Sequence, residues 1–467
     1  MTLALNFHLT SASAEPAAAL SARSLQIPLL VGSENPLLSI ALGKGQAREI
    51  KRVIATSTQL ENIRLGNDLQ VIGDLPKNID LLKKIELDFR GVEFSDGSKL
   101  LAPSKHTFRA GYPIHRRGEF DCHTTRIPAI ARTNAGTLLA VYDLRYNSSK
   151  DLQEHIDIGL SRSTDGGQTW EPIRPIMDMG EYGGKPQKEN GCSDPNILVD
   201  PKTGRIFVSA VWTHGKPGTH QWKGKGSEPG HDIHQSSQFM IITSDDDGET
   251  WSEPENWTAR LKNEEWYLFA PAPGNGIALE DGTLVIPTQG RDAEGLPFSC
   301  ITWSKDHGKT WTVSEAARRD TTECAVVQLA DGSLMLNMRD NRNRKDKSAT
   351  NGRAVSITRD LGKTWTTHSS DRGALPEPVC MASLISHEKQ LLFSNPNHRA
   401  QRQDITIQTS FDQGKTWPEQ HRVLLDSGRC KGYSSLVMVD RDTVGIIYES
   451  SRANLVFQKL HLSDLAD

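Results

Sequence analysis

Apolar and polar residues alternate over short stretches of this 467-residue chain, and tight polar turns separate the stretches. Strand-like examples are "DIGLSRS", "FMIITS" and "ITIQTS", in which successive side chains would point to opposite faces of a sheet. Turns of the form "DGT" or "DGS" connect several of them, and amphipathic helical periods are few. The pattern therefore predicts an all-β fold.

One eight-residue pattern, which we call the Asp box, recurs five times, each time directly after a strand-like stretch. The copies are "STDGGQTW" from Ser163, "SDDDGETW" from Ser244, "SKDHGKTW" from Ser304, "TRDLGKTW" from Thr358 and "SFDQGKTW" from Ser410. Intervals of roughly 50 to 80 residues suit one four-stranded propeller blade per copy. The aspartate can accept hydrogen bonds from its own turn, and the glycine can adopt positive φ. We therefore interpret each box as a structural hairpin turn.

The beginning of the chain is organised differently. Residues 1–105 contain no Asp box, but they contain strand-like stretches of their own, such as "LQIPLLVG" and "IELDFRGVEF". We expect a small β-sandwich-like N-terminal domain in residues 1–105 and a propeller in residues 106–467, with the boundary near "APSKHTFRAG".

Charge and composition narrow the class of partner. The net charge of -4 lacks the basic excess that usually marks a nucleic-acid-binding surface. The sequence has no run of 18 apolar residues, which is the length needed to span a membrane. The N-terminus lacks the basic start and unbroken apolar core of a signal peptide. The six cysteines have no paired spacing, which disfavours a zinc site and a disulfide framework, so we expect most to be buried thiols.

The five Asp boxes, together with "RIP" at Arg126–Pro128 upstream of the first box, resemble the bacterial exo-sialidase (neuraminidase) family. The resemblance extends from about Asp121 to Glu449. It implies a six-bladed propeller in which one blade lacks a recognisable box. It also implies a glycoside hydrolase that acts on sialylated glycans and needs no metal or organic cofactor.

Three arginines are implied as the binding site for the substrate's carboxylate. Sialic acid is an anion at neutral pH, and planar, permanently charged guanidinium groups are suited to bind it. The resemblance assigns this role to Arg126 in "TTRIPAIA", Arg339 in "LNMRDN" and Arg402 in "NHRAQRQDITIQ". Arg399 is a rival for the third position, but Arg402 has the spacing to the next strand that the family shows. Any one of these arginines, taken alone, would more often form a surface ion pair.

A tyrosine and a glutamate are the implied nucleophile and its base. Sialidases with a tyrosine nucleophile are a known exception among glycosidases, which usually use two carboxylates. "KGYSSLVMV" supplies Tyr433 and "TTECAVVQLADGS" supplies Glu323 in the family's positions. A phenol with a pKa near 10 needs such a base to become a useful nucleophile. In isolation, each residue would more often have a structural role.

Asp151, in the polar stretch "YDLRYNSSKDLQEHIDIGLSRS", is the implied general acid and base. Asp143 and Asp157 compete for this role, but both lie in strand-like runs, where we expect structural roles. Arg145 matches a family arginine that contacts the sugar's 4-hydroxyl group. Asp194 in "GCSDPNILVD" matches an acidic residue on that side of the pocket.

Other expectations concern the surroundings of this site. Glu449 in "IIYESS" matches the glutamate that orients the first arginine. Trp212 is a candidate for the N-acetyl pocket. The polar stretch from Thr213 to Gln238 is expected to form a loop near the pocket mouth, with solvated histidines that bind no metal. A secreted or periplasmic location follows from the substrate class.

Three functions remain open at this level. The first is a retaining exo-sialidase that works through a covalent tyrosyl intermediate. The second is the same fold acting as a trans-sialidase or forming an anhydro product. The third is a non-catalytic Asp-box propeller that binds glycans. The N-terminal domain could bind carbohydrate or serve a structural role.

Overall fold

The computed structural model describes residues 20–43, 49–215 and 227–466. Strands dominate these ranges, which contain one short α-helix, Thr258–Leu261. Short 3-10 turns lie at Asn67–Leu69, Glu119–Asp121, Tyr182–Gly184, Gln187–Glu189, Asn341–Arg344, Glu419–His421 and Leu462–Leu465. The predicted all-β class is confirmed. No helix in the described ranges is long and apolar enough to cross a membrane.

The chain divides into two compact units. The first comprises the described residues up to Leu25, Gly32–Ile79 and Lys84–Phe108, and the second comprises Gln26–Val31, Asp80–Lys83 and the chain from Arg109 onwards.

The first unit consists of paired antiparallel strands. A four-stranded sheet has the order Ser21–Ser24, Ser33–Ala41, Gln70–Leu75, Glu61–Leu65. Ile50–Thr56 pairs with Lys84–Phe94, which neighbours the strand Lys99–His115. Ile85, Leu87 and Phe89 are at most 1% exposed, so alternate side chains of their strand form the buried face.

Six antiparallel sheets follow one another in the described part of the second unit, and we number them 1 to 6 in chain order. Sheet 1 contains Thr124–Arg132, Leu138–Arg145, Ile156–Ser163 and Arg174–Met177. Sheet 2 contains Cys192–Val199, Ile206–Trp212, Gln238–Ser244 and Glu255–Asn256. Sheet 3 contains Leu268–Pro271, Leu284–Arg291, Pro297–Ser304 and Thr312–Val313. Sheet 4 contains Thr321–Gln328, Leu334–Asp340, Ala354–Thr358 and Thr366–Thr367. Sheet 5 contains Ser383–His387, Gln390–Pro396, Ile405–Ser410 and Arg422–Asp426. Sheet 6 contains Ser434–Met438, Thr443–Tyr448, Leu455–His461 and the end of Lys99–His115.

Short strands extend some of these sheets. Gly274–Asn275 pairs in parallel with the first strand of sheet 2, and Ile277–Ala278 and Arg318–Arg319 pair with strands of sheet 3. Leu29–Leu30 pairs in parallel with residues 110–111 beside sheet 6.

The first strands of several sheets contact one another in chain order. Thr124–Arg132 contacts Cys192–Val199, and Thr321–Gln328 contacts Ser383–His387, which contacts Ser434–Met438. The last of these strands also contacts Thr124–Arg132, so the series returns to its beginning. Sheet 6 is therefore adjacent to sheet 1.

Buried apolar side chains fill the spaces between consecutive sheets. Leu160 of sheet 1 belongs to one cluster with Val208 and Met240 of sheet 2. Further clusters join sheets 2 and 3, 3 and 4, 4 and 5, and 5 and 6. Full burial of such a side chain stabilises the folded state by about 1.5–3 kcal/mol. The same packing fixes the relative positions of side chains that lie on different sheets.

Each Asp box forms a turn after the third strand of one of sheets 1 to 5. In the second box, Ser244 Oγ donates to Asp246 Oδ1 at 2.8 Å, and the amide and hydroxyl of Thr250 donate to the same carboxylate at 2.9 and 2.5 Å. Equivalent contacts recur in the other four boxes. Gly248, with φ of 79°, adopts the left-handed conformation that the turn requires.

The cysteines are all unpaired, and five of the six are buried. Burial raises the pKa of Cys122 and Cys380 to about 11, so both remain thiols at neutral pH. These observations fit the expectation that most of the cysteines are buried thiols.

Candidate active site

Side chains from several sheets of the second unit converge on one cavity. Its lining residues are Arg126, Ile127, Asp151, Asp194, Leu268, Gln289, Gly290, Arg291, Pro297, Thr322, Glu323, Arg339, Arg344, Arg402 and Tyr433. Seven of the nine residues singled out from the sequence are among them, and the other two, Arg145 and Glu449, contact lining residues. None of the five box aspartates lines this cavity.

Tyr433, Glu323 and Arg339 form the most closely connected group in the cavity. Tyr433 Oη donates a hydrogen bond to Glu323 Oε1 at 2.5 Å. Arg339 Nη1 donates to Glu323 Oε2 at 2.7 Å and to Tyr433 Oη at 3.2 Å. The phenol therefore contacts both a proton acceptor and a cation.

The electrostatics of this group favour a neutral phenol beside an ionised glutamate. Burial, and then the charge of Glu323, raise the pKa of Tyr433 well above its ordinary value, against the opposing effect of Arg339. Burial acts to raise the pKa of Glu323 as well, but the charge of Arg339 and hydrogen bonds from Tyr433 and Arg339 outweigh it, so the pKa is lowered. At rest, Glu323 is thus a carboxylate that can accept the phenol's proton.

Glu449 links the first arginine to the backbone of the tyrosine. Its Oε1 accepts hydrogen bonds from Arg126 Nε at 2.7 Å and from the Ile127 amide at 3.0 Å. Its Oε2 accepts from the Tyr433 amide at 2.9 Å. Ile127 has φ of 57°, which is unfavourable for a β-branched residue, and the Glu449 contact helps to hold it there.

The three arginines surround the tyrosine and retain groups that can bind a ligand. Arg126 Cζ and Arg402 Cζ lie 5.3 and 5.5 Å from the centroid of the Tyr433 ring. Arg339 Nε is buried without a hydrogen-bond partner among the described residues. Because a buried N–H without an acceptor costs free energy, an anionic ligand here would be stabilised.

Arg402 lies on the cavity and is held by two backbone carbonyls. Its Nη1 donates to the carbonyl of Lys431 at 2.9 Å, and its Nη2 donates to that of Val379 at 2.8 Å. The rival Arg399 is exposed and is not among the lining residues. The structure therefore brings Arg402, and not Arg399, together with Arg126 and Arg339.

Asp151 lies on the loop between the second and third strands of sheet 1, where 51% of its side chain is exposed. Arg145 Nη1 donates to Asp151 Oδ1 at 2.7 Å, and Arg126 Nη1 is 3.6 Å from the same oxygen. Arg145 is itself buried and paired with Asp143, which accepts from its Nη2 at 2.7 Å. The cavity thus contains both a solvent-accessible carboxylate and a buried tyrosine.

Asp194 occupies a buried position in the first strand of sheet 2. Its amide donates to Asp143 Oδ1 at 3.0 Å, and its Oδ1 accepts from Ser193 Oγ at 3.1 Å. Burial, followed by the charges of Asp143 and Glu323, raises the pKa of Asp194 well above its ordinary value. Asp194 is therefore favoured as a neutral acid that can donate a hydrogen bond into the cavity.

The two aspartates that compete with Asp151 in the sequence, Asp143 and Asp157, are buried in sheet 1. Asp143 accepts from Arg145 and from the Asp194 amide, so it supports two residues of the cavity. Asp157 accepts from Tyr146 Oη at 2.9 Å, and burial raises its pKa to about 7. Neither residue lines the cavity, in keeping with the structural roles expected for them.

Trp212 is not in the cavity that the sequence suggested for it, and residues 216–226 of the polar stretch lie outside the described residues. Trp212 is fully buried between sheets 1 and 2, where its Nε1 donates to Asn190 Oδ1 at 2.6 Å, so it does not line the cavity. His220 lies outside the described residues. His231 Nε2 lies within hydrogen-bonding distance, 2.9 Å, of the backbone carbonyl oxygen of Lys262. In the described ranges, no group of three or more His, Cys, Asp or Glu residues could hold a metal ion.

The sequence interpretation missed several residues that line the cavity. Gln289 and Arg291 lie at the end of a strand of sheet 3, and Arg344 lies in the turn after Arg339. No repeat or motif distinguishes these positions. Their location at the ends of strands was the one available signal.

Comparisons with known proteins agree with this geometry. The BNR repeat-like domain family matches residues 94–446. A sialidase from Bacteroides fragilis is 47% identical over 397 residues, which cover 82% of this chain and 71% of that protein. The chain belongs to the sialidase family. The predicted membership of the exo-sialidases, which are glycoside hydrolases, is thereby confirmed.

Other members of the sialidase family differ in length and similarity. A sialidase from Micromonospora viridifaciens is 34% identical over 346 residues, which cover 69% of this chain and 49% of that protein. The chain thus spans about half of that relative. The solved structure of Hadza microbial sialidase Hz136 has a TM-score of 0.84 and 37% identity, covering 95% of this chain and 99% of that chain.

Proposed function

We propose that this chain is a retaining exo-sialidase that hydrolyses terminal α-linked sialic acid from glycoconjugates through a covalent tyrosyl intermediate. The contact of Tyr433 Oη with Glu323 and Arg339, inside a cavity that also contains Arg126 and Arg402, is the observation that carries the proposal. Relatives named sialidase support the same substrate class, sialylated glycans.

Substrate binding begins with the carboxylate. Arg126, Arg339 and Arg402 supply the charge that neutralises it, and Arg339 Nε, which has no acceptor among the described residues, gains one from the ligand. A neutral tyrosine is a suitable nucleophile next to this anion, because a carboxylate nucleophile would be repelled by it. These three arginines, which we call the clamp, would hold the anomeric carbon, which bears the carboxylate, beside Tyr433 Oη.

In the first step, Tyr433 Oη attacks the anomeric carbon while its proton passes to Glu323. The protonated form of Asp151 donates its proton to the glycosidic oxygen, and the bond from that oxygen to the anomeric carbon breaks. In the second step, Asp151, now a carboxylate, accepts a proton from water, and the resulting hydroxide attacks the anomeric carbon. The bond to Tyr433 breaks and the proton on Glu323 returns to the phenol. The two displacements together retain the anomeric configuration.

The same proposal extends to the architecture. We propose a six-bladed propeller for residues 106–467, supported by the six sheets, by the contacts of sheet 6 with sheet 1, and by boxes in five sheets. For residues 1–105 we favour a structural β-domain over carbohydrate binding, because Phe89 and Phe94, the aromatic residues in the described part of this range, are buried. A secreted or periplasmic location remains our proposal from the substrate class.

Two other functions are alternatives. A transferase or anhydro-forming activity would use the same cavity, and an intramolecular trans-sialidase from Ruminococcus gnavus shares the fold with a TM-score of 0.58 at 19% identity. A non-catalytic glycan-binding propeller is disfavoured by the contact between Tyr433 and Glu323.

Proton NMR of 3'-sialyllactose incubated with the protein tests these alternatives directly. Initial release of the α-anomer of sialic acid, before mutarotation, is the expected result. An anhydro sugar, or transfer to an added acceptor, would identify the second function instead. Binding without turnover of α2,3-, α2,6- and α2,8-linked substrates would indicate the non-catalytic alternative.

A further inference from the structure

A fully buried ion pair links sheet 4 to the connection that leads to sheet 5. Arg353 Nη1 donates to Glu377 Oε2 at 2.8 Å, and both side chains are fully buried. Neither residue lines the cavity. Such a pair contributes little net stability, because the free energy lost when two charges leave water offsets their attraction. The other hydrogen bonds of the pair indicate a different role.

The second oxygen of Glu377 holds the end of the strand that carries Arg339. Glu377 Oε1 accepts hydrogen bonds from the amide of Asp340 and from Asn343 Nδ2, each at 2.8 Å. Asp340 directly follows Arg339 at the end of Leu334–Asp340, and Asn343 lies in the turn that comes next. Glu377 therefore fixes the backbone from which the Arg339 side chain extends into the cavity.

Arg353 holds the backbone that binds Arg402. Its Nη1 also donates to the carbonyl of Cys380 at 2.7 Å, and its Nε donates to Asn337 Oδ1 at 2.6 Å. The preceding carbonyl, that of Val379, accepts the hydrogen bond from Arg402 Nη2 at 2.8 Å. Val379 has φ of 56°, which is unfavourable for a β-branched residue, so the direction of this carbonyl depends on such support.

The ion pair thus joins the supports of two arginines that come from different sheets. This step rests on the proposed function, in which Arg339 of sheet 4 and Arg402 of sheet 5 bind the substrate's carboxylate. We infer that Glu377 and Arg353 are positioning residues, which set the separation of these two clamp arginines and so fit the clamp to a carboxylate. Because a carboxylate has two charged oxygens at a fixed spacing, displacement of either guanidinium group weakens its binding more than that of a neutral group.

Two ligands that differ at the carboxylate alone test this inference. One is the 2,3-unsaturated analogue of sialic acid, and the other is the same compound with a carboxamide in place of the carboxylate. Isothermal titration calorimetry, with displacement for the weaker ligand, gives the ratio of the two dissociation constants without requiring turnover. The native protein should bind the carboxylate at least about 30-fold more tightly than the carboxamide.

Glu377→Gln should reduce this ratio at least about fivefold, with most of the loss in affinity falling on the carboxylate ligand. The glutamine side chain has nearly the same shape, but one end of its amide is a donor. That end would face a donor in either orientation, since Arg353 Nη1 lies on one side and the Asp340 amide on the other. One of the two supports is therefore lost.

Two further variants separate positioning from a general loss of stability. Arg353→Lys keeps a cation beside Glu377 but loses the planar fork that reaches several groups at once, so the ratio should fall about two- to threefold. This variant carries the test if Glu377→Gln does not fold. Arg162→Met is the matched control, because Arg162 is a buried arginine that pairs with Glu171 and Glu249 and does not line the cavity. It should lower Tm and leave the ratio unchanged.

Equal losses of affinity for the two ligands in Glu377→Gln would overturn the inference, as would an unchanged ratio in a folded Arg353→Lys. Failure of the proposed function gives a different result. A native protein that binds neither ligand, or binds both equally well, has no carboxylate clamp, and the proposed function would then be overturned together with this inference. Thermal unfolding of each variant establishes that it is folded.

Discussion

The Asp boxes and the cavity both depend on acidic side chains, but the hydrogen-bond partners of these side chains lie at very different distances along the chain. Asp246 of the second box receives its hydrogen bonds from residues within four positions of it in the chain. Glu323 of the cavity contacts Arg339, 16 positions away, and Tyr433, 110 positions away. A box is completed by its own turn, whereas the cavity requires several sheets to be in place.

This difference separates stability from chemistry within one molecule. A group satisfied locally can be repeated, and its loss affects one turn. A group satisfied by distant sheets occurs once, and its loss should affect the reaction more than the fold. The following predictions test that separation, beginning with the largest expected effect.

Tyr433→Phe should lower kcat for sialoside hydrolysis by about 10³-fold or more, because it removes the attacking oxygen and leaves the ring in place. Steady-state kinetics with 3'-sialyllactose measures the loss. Tyr142→Phe is a matched control, since Tyr142 is fully buried and its hydroxyl contacts Ser161 at 2.7 Å outside the cavity. The control should keep its activity; near-native activity of Tyr433→Phe would refute the proposed nucleophile.

Arg339→Ala should weaken binding of an unsaturated sialic acid analogue by about 2 to 4 kcal/mol, the cost of losing a buried, charge-assisted contact. Isothermal titration calorimetry measures the affinity. Arg359→Ala, which removes an arginine that pairs with Asp331 at the surface, should leave binding unchanged. If both variants weaken binding equally, the effect is a general one of charge, and Arg339 has no specific role in the clamp.

Asp246→Ala should have the reverse profile. Loss of the turn's hydrogen bonds should lower the free energy of unfolding by about 1 kcal/mol, a value similar to the cost of replacing a helix N-cap residue by alanine. The kcat of the folded protein should remain within about twofold of the native value, since Asp246 is not a lining residue. Urea unfolding and kinetics on one preparation provide both numbers. A folded variant without activity would contradict the structural interpretation of the boxes.

The stability contribution of Asp246 should depend on pH. The hydrogen bonds from Thr250 and Ser244 lower its pKa to about 2, below the value near 3.9 of an unfolded aspartate. Its contribution is therefore complete above about pH 4 and is lost as the pH falls towards 2. Since Asp246 is exposed, solvent screening limits the change to a few tenths of a kcal/mol. Urea unfolding at pH 6, 4 and 3 should show that the difference in the free energy of unfolding between the native protein and Asp246→Ala shrinks as the pH falls. A difference that stays constant would show that the ionised Asp246 carboxylate is not its source.

The boxes could be predicted from sequence because everything they need lies within eight residues. The strands before them, the all-β class and the buried cysteines follow from equally local patterns. Arg126, Glu323 and Tyr433 are separated by more than 100 positions from one another, so their association came from the family resemblance. Composition and spacing alone could not supply it.

The remaining features depend on how the sheets pack. Trp212 was a candidate for the pocket, but its side chain fills the space between sheets 1 and 2. Arg291 and Arg344 are ordinary arginines in the sequence, and they become notable because the ends of sheets 3 and 4 meet at the same cavity. The sequence pattern shows that a strand has a buried face, but it does not show which sheet that face meets.

Glu449 has a consequence for the tolerance of this site to thermal motion. Its two oxygens join Arg126 of sheet 1 to the backbone of Tyr433 beside sheet 6, and these two sheets are distant in the chain but adjacent in space. In the proposed substrate, the carboxylate carbon and the anomeric carbon are joined by one bond. Because the Glu449 side chain holds Arg126 and the Tyr433 backbone at a fixed separation, sheets 1 and 6 can shift together while the carboxylate-binding group and the nucleophile stay in register.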